Sequence, residues 1–436
     1  MQNHSVRKSF IICAALAALI MPGLIACTGV TESSGAANSN SASNNNGASM
    51  EEEQNRPTAV SVDPRLVSAN TRFGLKLYGE VLKQNAGKNL FISGSSVALA
   101  LAMTYNGAEA ETKQAMAGAL EVQGLSAEEV NQAFRDLNTA LAGTDPKVQL
   151  QIANSLWGRR GVNFKPDFIQ RTKDFYNAEV AELNFNDPSA PQKINEWVND
   201  KTKGKIDKII DQISPDAILF LINAIYFKGK WSAEFDKAKT KDDTFTLADG
   251  RQKKHPMMNQ SGNYNYFANE NFQAVSLPYG SKRVAMYVFL PAKGANLDAF
   301  HKSLTAENWE GWMKEFQEMP GDIAMPRFKM EFEAELNDAL KALGMGVAFD
   351  PSRANFSRMA QVVEAIYINK VKHKAFVEVN EEGTEAAAVT SVEMRTTSIQ
   401  QPRERFRMTV DRPFFFAIRD NQTGTLLFMG SILDPQ

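Results

Sequence analysis

The sequence predicts an α+β fold in a single large domain. Helical periodicity in the first half of the chain, strand-like runs in the second half and globular composition from Pro64 to Gln436 support this prediction. The chain has 436 residues, and the part after an N-terminal leader and linker could form one large domain or two ordinary ones. Because no second low-complexity stretch marks a boundary, we expect one domain over 61–436.

Amphipathic helices are predicted in the first half, where apolar residues recur at spacings of three and four. The predicted helices are 66–82, 97–105, 112–120 and 130–141. The basic stretch 201–205 is typical of a solvated turn that ends a further helix.

Strands are predicted where β-branched and aromatic residues cluster. The predicted strands are 217–226, 272–277, 284–290, 323–330, 371–379, 414–418 and 426–429. Long stretches of chain separate most of them, so we expect mostly non-local strand pairing.

The N-terminus has the features of a secretory leader. Basic residues precede an apolar run, 10–20, that is too short to span a membrane comfortably. Residues 24–27 resemble the bacterial lipobox, whose cysteine is acylated and becomes the new N-terminus. We therefore predict a signal peptide over 1–26 and a lipid anchor at Cys27. An ordinary signal peptide with an incidental cysteine is the alternative.

A tether is predicted over 27–60, because this stretch is rich in Ser, Asn, Gly, Ala and Glu and poor in large apolar residues. Together with Cys27 it predicts attachment to a membrane. The expected location is the cell envelope, on the periplasmic face or the cell surface, or the extracellular medium.

The sequence offers little support for catalysis, cofactors or nucleic-acid binding. The two cysteines are Cys13, inside the leader, and Cys27, so cysteine catalysis and disulfides are not expected in the mature chain. No H-E-x-x-H pair, G-x-S-x-G elbow or phosphate-binding loop occurs. The 48 basic and 50 acidic residues are well mixed, with a net charge of -2. We expect no metal, no cofactor and no nucleic-acid partner.

One long segment between apolar strands, 381–402, is unusual for a loop. Between Thr384 and Ile399 its residues are small and mostly tolerant of β-structure, and the charges within that stretch, Glu385, Glu393 and Arg395, all fall on odd positions. A strand with period two would therefore place every charge on one face. A surface loop with accidental parity is the alternative. The even positions are Thr384, Ala386, Ala388, Thr390, Val392 and Met394.

Well-separated motifs resemble the serpin family from about residue 64 to the end of the chain. In chain order they are NLFIS at 89–93, NGA at 106–108, IANSLW at 152–157, INEWV at 194–198, TKGKI at 202–206, NAIYFKGKW at 223–231, MPRF at 325–328, LGM at 343–345, HKAF at 373–376, VNEEGTEAAA at 379–388, DRPF at 411–414 and LFMG at 427–430.

The resemblance implies a serpin fold, with a helix-rich N-terminal half, a large central mixed β-sheet, additional sheets and an exposed reactive-centre loop at about 381–402. It implies a monomeric suicide-substrate inhibitor of serine proteases, with cysteine proteases as a second class, and not an enzyme. After cleavage, the loop would insert into the central sheet and trap the acyl-enzyme. A non-inhibitory serpin that acts as a binding or structural module is the alternative.

Family spacing places the reactive bond at Thr397-Ser398. Arg395-Thr396 is the main alternative and Met394 a third, because the loop is a few residues longer than in common members. A small residue before the cut suits elastase- or subtilisin-like proteases, and Arg395 suits trypsin-like ones. The implied hinge residues are Glu381, Gly383, Thr384, Ala386, Ala387 and Ala388.

The resemblance also implies a polar cluster beneath the sheet that controls its opening. It would place Trp231 where the loop first inserts and would pair Glu381 with Arg327 in a surface ion pair. Gly94 stands where the family usually has proline, which would loosen the local turn. The implied cluster residues are Asn89, Ser93, Ser96, Asn223 and His373.

Overall fold

A computed structural model describes residues 61–142, 145–360, 366–384 and 404–436. The predicted leader, the tether and Cys27 lie outside the described residues. Residues Ala59–Gln436 form one compact unit.

The first half is rich in helices, as predicted. Asp63 caps the first helix through its side chain, and Ser126 and Glu129 form a capping box at the start of the fourth. Within the described ranges, no helix combines the length and apolarity needed to cross a bilayer. The helices are α1 (Pro64–Gln84), α2 (Gly94–Tyr105), α3 (Ala110–Ala119), α4 (Ala127–Leu141), α5 (Pro166–Tyr176), α6 (Ala190–Lys201), α7 (Leu297–Ser303), α8 (Ala306–Glu315) and α9 (Asn337–Leu340).

The strands form two sheets. They are β1 (Leu90–Ile92), β2 (Val148–Arg159), β3 (Glu179–Leu183), β4 (Leu219–Lys230), β5 (Lys241–Thr246), β6 (Gln252–Ala268), β7 (Phe272–Pro278), β8 (Val284–Pro291), β9 (Gln317–Pro326), β10 (Phe328–Glu335), β11 (Lys370–Asn380), β12 (Gly383–Thr384), β13 (Phe406–Thr409), β14 (Phe414–Asp420) and β15 (Leu426–Ile432).

The two sheets are made of different strands, which pair in the following orders. The nine-stranded sheet runs β1-β15-β14-β8-β7-β6-β9-β13, with β5 paired to β6. The six-stranded sheet runs β10-β11-β12-β4-β2-β3 and is mixed, because β4 is parallel to β11 and β2 is parallel to β3. The α+β prediction is confirmed.

The predicted strand 323–330 is wrong as a single strand. The chain forms two strands on either side of Arg327, and these belong to different sheets. The predicted strands also leave out seven strands of the structure, which are β1, β2, β3, β5, β6, β12 and β13. Much of β6 is polar and half-exposed, so it lacks the apolar run that marks a buried strand.

Strands β10 and β11 are joined along their length. They are antiparallel from Phe328 opposite Val379 to Glu335 opposite Lys372, and opposite charges alternate across their outer face. Such cross-strand pairs support the pairing. The ion pairs are Lys329 with Glu378, Glu331 with Lys374, Glu333 with Lys372 and Glu335 with Lys370.

Helix α2 lies in the core, with all twelve of its residues buried, and it crosses α1 very closely. A Cβ atom on Gly94 would lie 2.5 Å from the Cα atom of Gly74 in α1. Glycine at position 94 therefore permits this helix crossing, and a side chain there would push α1 away.

We predict that Gly94→Ala destabilises the protein by about 1–3 kcal/mol, because the added methyl group overlaps the α1 backbone. Gly79→Ala in α1 is the matched control. Nothing lies within 4 Å of a Cβ atom at position 79, so this change should stabilise the helix by up to about 1 kcal/mol. Urea unfolding of both variants measures the difference, and effects of the same sign would contradict the helix-crossing argument.

Candidate functional site

The predicted hinge begins inside the six-stranded sheet. Gly383 and Thr384 form β12, which pairs antiparallel with β11 on one side and β4 on the other. Thr384 is fully buried, and its hydroxyl lies 2.8 Å from the Tyr279 hydroxyl. Gly383 has φ +147°, and a Cβ atom there would lie 2.0 Å from the Gly229 carbonyl oxygen. Only glycine fits this position without moving β4.

Trp231 binds the segment that leads into β12. Its backbone N–H donates to the Glu382 carbonyl and its indole N–H donates to the Asn380 carbonyl, both at 2.9 Å. The Trp231 ring stacks on Tyr279 with 4.3 Å between ring centroids. Trp231 therefore contacts the start of the hinge directly.

Two hinge carboxylates are buried and paired. Arg327 forms an ion pair with Glu381 at 3.2 Å, and the Thr240 hydroxyl donates to the same carboxylate at 2.6 Å. Glu382 is paired with Lys237. The Glu381 side chain is 2 % exposed, so its pairing with Arg327 is not the surface ion pair expected from the sequence. Removing its cation would leave a buried charge unpaired, which is costly.

A polar cluster lies under the sheet, where β4 and β11 run side by side. Asn223 donates to the Ser96 hydroxyl at 2.5 Å and to the Asn154 side-chain oxygen at 2.6 Å. The Ser93 backbone N–H donates to Nε2 of His373 at 3.2 Å. Nε2 is therefore the acceptor, and Nδ1–H donates to the Asn223 oxygen at 2.6 Å. Neutral His373 thus links β11 to β4.

Asn89 lies apart from this cluster, contrary to the sequence expectation. It precedes β1, whereas Ser93 follows β1 and caps α2. The Asn89 side chain binds the C-terminal segment instead, accepting from the backbone N–H groups of Leu433 and Asp434.

Burial lowers the pKa of His373 to about 3, because the charged imidazolium would lose its hydration. The neutral ring can accept the Ser93 hydrogen bond, whereas the imidazolium cannot. Protonation would therefore break one hydrogen bond and place an uncompensated charge in the core.

Most of the predicted reactive loop lies outside the described residues. This applies to Ala386, Ala387, Ala388, Met394, Arg395, Thr396, Thr397 and Ser398. The described part of the site offers hydrogen bonding and strand pairing.

A comparison with protein families matches residues 68–435 to the family described as "Serpin (serine protease inhibitor)". The chain belongs to the serpin family. This serpin is 36 % identical to human leukocyte elastase inhibitor over 385 residues, covering 85 % of this chain and 100 % of the relative. It is 35 % identical over 379 residues to a serpin-like protein of Thermococcus kodakarensis, covering 85 % and 86 %.

Solved structures support the same fold. The native state of tengpin, a thermophilic serpin, matches with a TM-score of 0.80 and 34 % identity, covering 86 % of this chain and 95 % of tengpin. Human thyroxine-binding globulin matches with a TM-score of 0.78 and 27 % identity, covering 85 % of this chain and 98 % of the globulin. The serpin fold predicted from the motifs is confirmed.

Several residues around the hinge and the polar cluster were missed from the sequence. Tyr279 contacts Thr384 from a turn more than a hundred positions away, and no local pattern marks it. Lys237 and Thr240 lie in an unremarkable charged stretch. Asn154 belongs to a quoted motif, but its contact with Asn223 depends on the pairing of β2 with β4.

We predict that this serpin loses stability as the pH falls below about 6.5, because the unfolded chain takes up protons that folded His373 resists. Stability from this group is present above pH 6.5 and lost on acidification, by about 2 kcal/mol at pH 5. Urea unfolding between pH 7.5 and 5 should show a shallower pH dependence for His373→Gln than for the native sequence.

His301→Gln is the matched control for this experiment. Burial also lowers the pKa of His301, to about 4, but this residue lies on α7 and contacts Tyr78 and Ser431. Each variant should remove the part of the pH dependence of the unfolding free energy that its own histidine causes. The unfolding free energy of the double variant should therefore depend least on pH. Identical pH profiles for His373→Gln and the native sequence would contradict the assignment.

Proposed function

We propose that this serpin inhibits serine proteases as a suicide substrate. The placement of Gly383 and Thr384 between β4 and β11 carries the proposal, because the sheet already accepts the first residues of the loop. A loop held in this way needs no new nucleation step before further residues can pair. The elastase-inhibitor name of the human relative also supports an inhibitory role.

The protease would supply the chemistry. Its serine oxygen attacks the carbonyl carbon of Thr397, the amide bond to Ser398 breaks, and Ser398 leaves with a protonated amine. The new ester joins the protease to the loop. Insertion of the loop would then carry the attached protease along the sheet and distort its active site before water cleaves the ester.

The observed register indicates where an inserted loop would lie. Thr384 pairs with Val379 of β11 and Gly229 of β4. If the same antiparallel register continued, Thr390 would pair with both His373 and Asn223. A threonine hydroxyl can accept from the imidazole and donate to the amide oxygen. Thr390 would thus replace the direct hydrogen bond that insertion breaks.

The energy of insertion is sufficient for this mechanism. About a dozen new ladder hydrogen bonds at ~0.5–1.5 kcal/mol each would contribute roughly 6–18 kcal/mol before any side chain is buried. A globular protease is stable by only about 5–15 kcal/mol. Insertion can therefore distort the bound protease locally, provided that it is faster than deacylation.

Two bonds compete as the site of cleavage. We favour Thr397-Ser398, which suits elastase- or subtilisin-like proteases, and Arg395-Thr396 would suit trypsin-like ones. Met394 remains a third position for the residue before the cut. Cysteine proteases form the second target class, because a thioester could be trapped in the same way.

We predict a covalent complex when the protein is incubated with trypsin, an elastase or subtilisin. Denaturing gels should show a band at the summed mass of protein and protease less the C-terminal peptide that cleavage releases. Intact-mass analysis should detect a released C-terminal peptide that starts at Ser398 or Thr396. If every protease cleaves the protein and none forms a covalent complex, the inhibitory proposal is contradicted for these protease classes. That result would favour a non-inhibitory binding or structural role.

Two loop variants make this experiment specific to insertion. Thr384→Arg places a charge at a fully buried position between two strands, so the loop should be cleaved without trapping the protease. Glu385→Arg is the matched control, because the alternation of the loop assigns odd positions to the solvent face. Trapping by Thr384→Arg at the native level would show that insertion is not required.

We also propose that the mature protein is a lipoprotein anchored through Cys27. The lipobox-like residues 24–27 and the polar stretch after them support this assignment, and the tether would hold the serpin domain, 61–436, at the cell envelope.

We predict that the mature chain begins at Cys27 and carries acyl groups. Intact-mass analysis of the membrane fraction should show this modification, and Cys27→Ala should move the protein to the soluble fraction. Cys13→Ala, inside the leader, is the matched control and should leave the protein in the membrane fraction. A native mature chain that begins at any other residue would contradict the anchor.

A further inference from the structure

A cavity of about 320 Å³ lies between the two sheets, close to the end of the six-stranded sheet that receives the hinge. Its size falls at the lower end of the range for small-molecule sites. Its wall comes mainly from strands of both sheets and combines apolar side chains with polar ones. The apolar residues on these strands are Val148, Leu150, Phe227, Val284 and Leu427.

The buried carboxylate of Asp145 lies on the cavity wall. Asp145 is 7 % exposed and accepts hydrogen bonds from the backbone N–H groups of Lys147, at 2.8 Å, and Ser281, at 2.5 Å. Burial raises its pKa, but these backbone hydrogen bonds outweigh that effect and keep the pKa below its usual value. Asp145 is therefore an anion at neutral pH.

The cavity wall carries a second carboxylate, and its charge is neutralised by an ion pair. Asp420 is 1 % exposed and forms an ion pair with Arg283 at 2.6 Å. Among the described residues, Asp145 has no such ion pair. The cavity thus combines apolar side chains with a buried carboxylate that accepts two backbone hydrogen bonds and is stabilised at longer range by Lys147, but has no ion pair within the described residues. A cation placed beside this carboxylate would form the missing ion pair.

We propose that this cavity binds a small amphipathic cation, with an apolar body packed against Leu150 and Phe227 and an ammonium group beside Asp145. Burial of the apolar body would supply binding energy, and the charge would select cations over neutral molecules of the same shape. The class is a primary amine on a short arylalkyl chain.

Two contacts connect the cavity to the hinge. The Phe227 ring lies 5.1 Å from that of Tyr279, whose hydroxyl contacts Thr384. Asp145 binds the Ser281 backbone, two residues beyond Tyr279 in the same turn. A bound cation therefore supports the residues that hold Thr384 and should slow opening of the hinge.

The test uses the full chain and three probes of one shape: 4-phenylbutylamine, 4-phenylbutan-1-ol and 4-phenylbutyrate. Titration calorimetry at low salt should show that the amine binds at least about tenfold more tightly than the alcohol, with the carboxylate weakest. Asp145→Asn should abolish the preference for the amine but keep binding of the alcohol. Asp242→Asn, on the exposed face of β5, is the matched charge control.

Leu150→Phe keeps the proposal falsifiable if Asp145→Asn does not fold. This change fills the cavity and should abolish binding of both the amine and the alcohol, whereas Val180→Phe on β3 should leave binding unchanged. Equal affinity of the native protein for amine and alcohol, or binding of neither, would overturn the site.

Hydrogen exchange at Gly383 and Thr384 tests the link to the hinge. At an amine concentration ten times the dissociation constant, exchange should slow by up to about tenfold. Unchanged exchange in the presence of bound amine would overturn the coupling. Neither readout uses a protease, so failure of this proposal and failure of the inhibitory function are distinguishable.

Discussion

The parallel pairing of β4 with β11 is the constraint on which the rest of this serpin depends. It runs from Phe220 opposite Lys370 to Tyr226 opposite Phe376 and then stops, although both strands continue. Backbone groups beyond that point are buried and need partners. Gly383 and Thr384 supply them, so the position of the hinge follows from the need to complete two interrupted strands.

The buried polar side chains between β4 and β11 also make this pairing sensitive to separation of the two strands. His373 and Asn223 are satisfied only while the strands stay in register or while another polar group stands between them. Apolar side chains would tolerate a partial separation of β4 from β11. The buried polar groups of this cluster would lose their hydrogen bonds. The cluster therefore opposes separation of β4 from β11.

Residue patterns predicted the fold class, the four early helices and the hinge motif, because these depend on local spacing and on motifs that stand together in the chain. They did not predict Tyr279 at the hinge or Asn89 at the C-terminus. Both contacts depend on which strands become neighbours, and β1 separates Asn89 from the cluster at Ser93. The half-exposed strand β6 was missed because its polar residues hide the usual alternation.

The ladder of charges between β10 and β11 has a mechanical consequence. These two strands share an antiparallel register of eight pairs with four ion pairs across it, whereas β11 meets β4 in seven parallel pairs. A force applied across the sheet would therefore separate β11 from β4 more easily than β11 from β10, because ion pairs as well as backbone hydrogen bonds join β10 to β11. If the loop enters the sheet as proposed, it does so at this less strongly joined pair of strands.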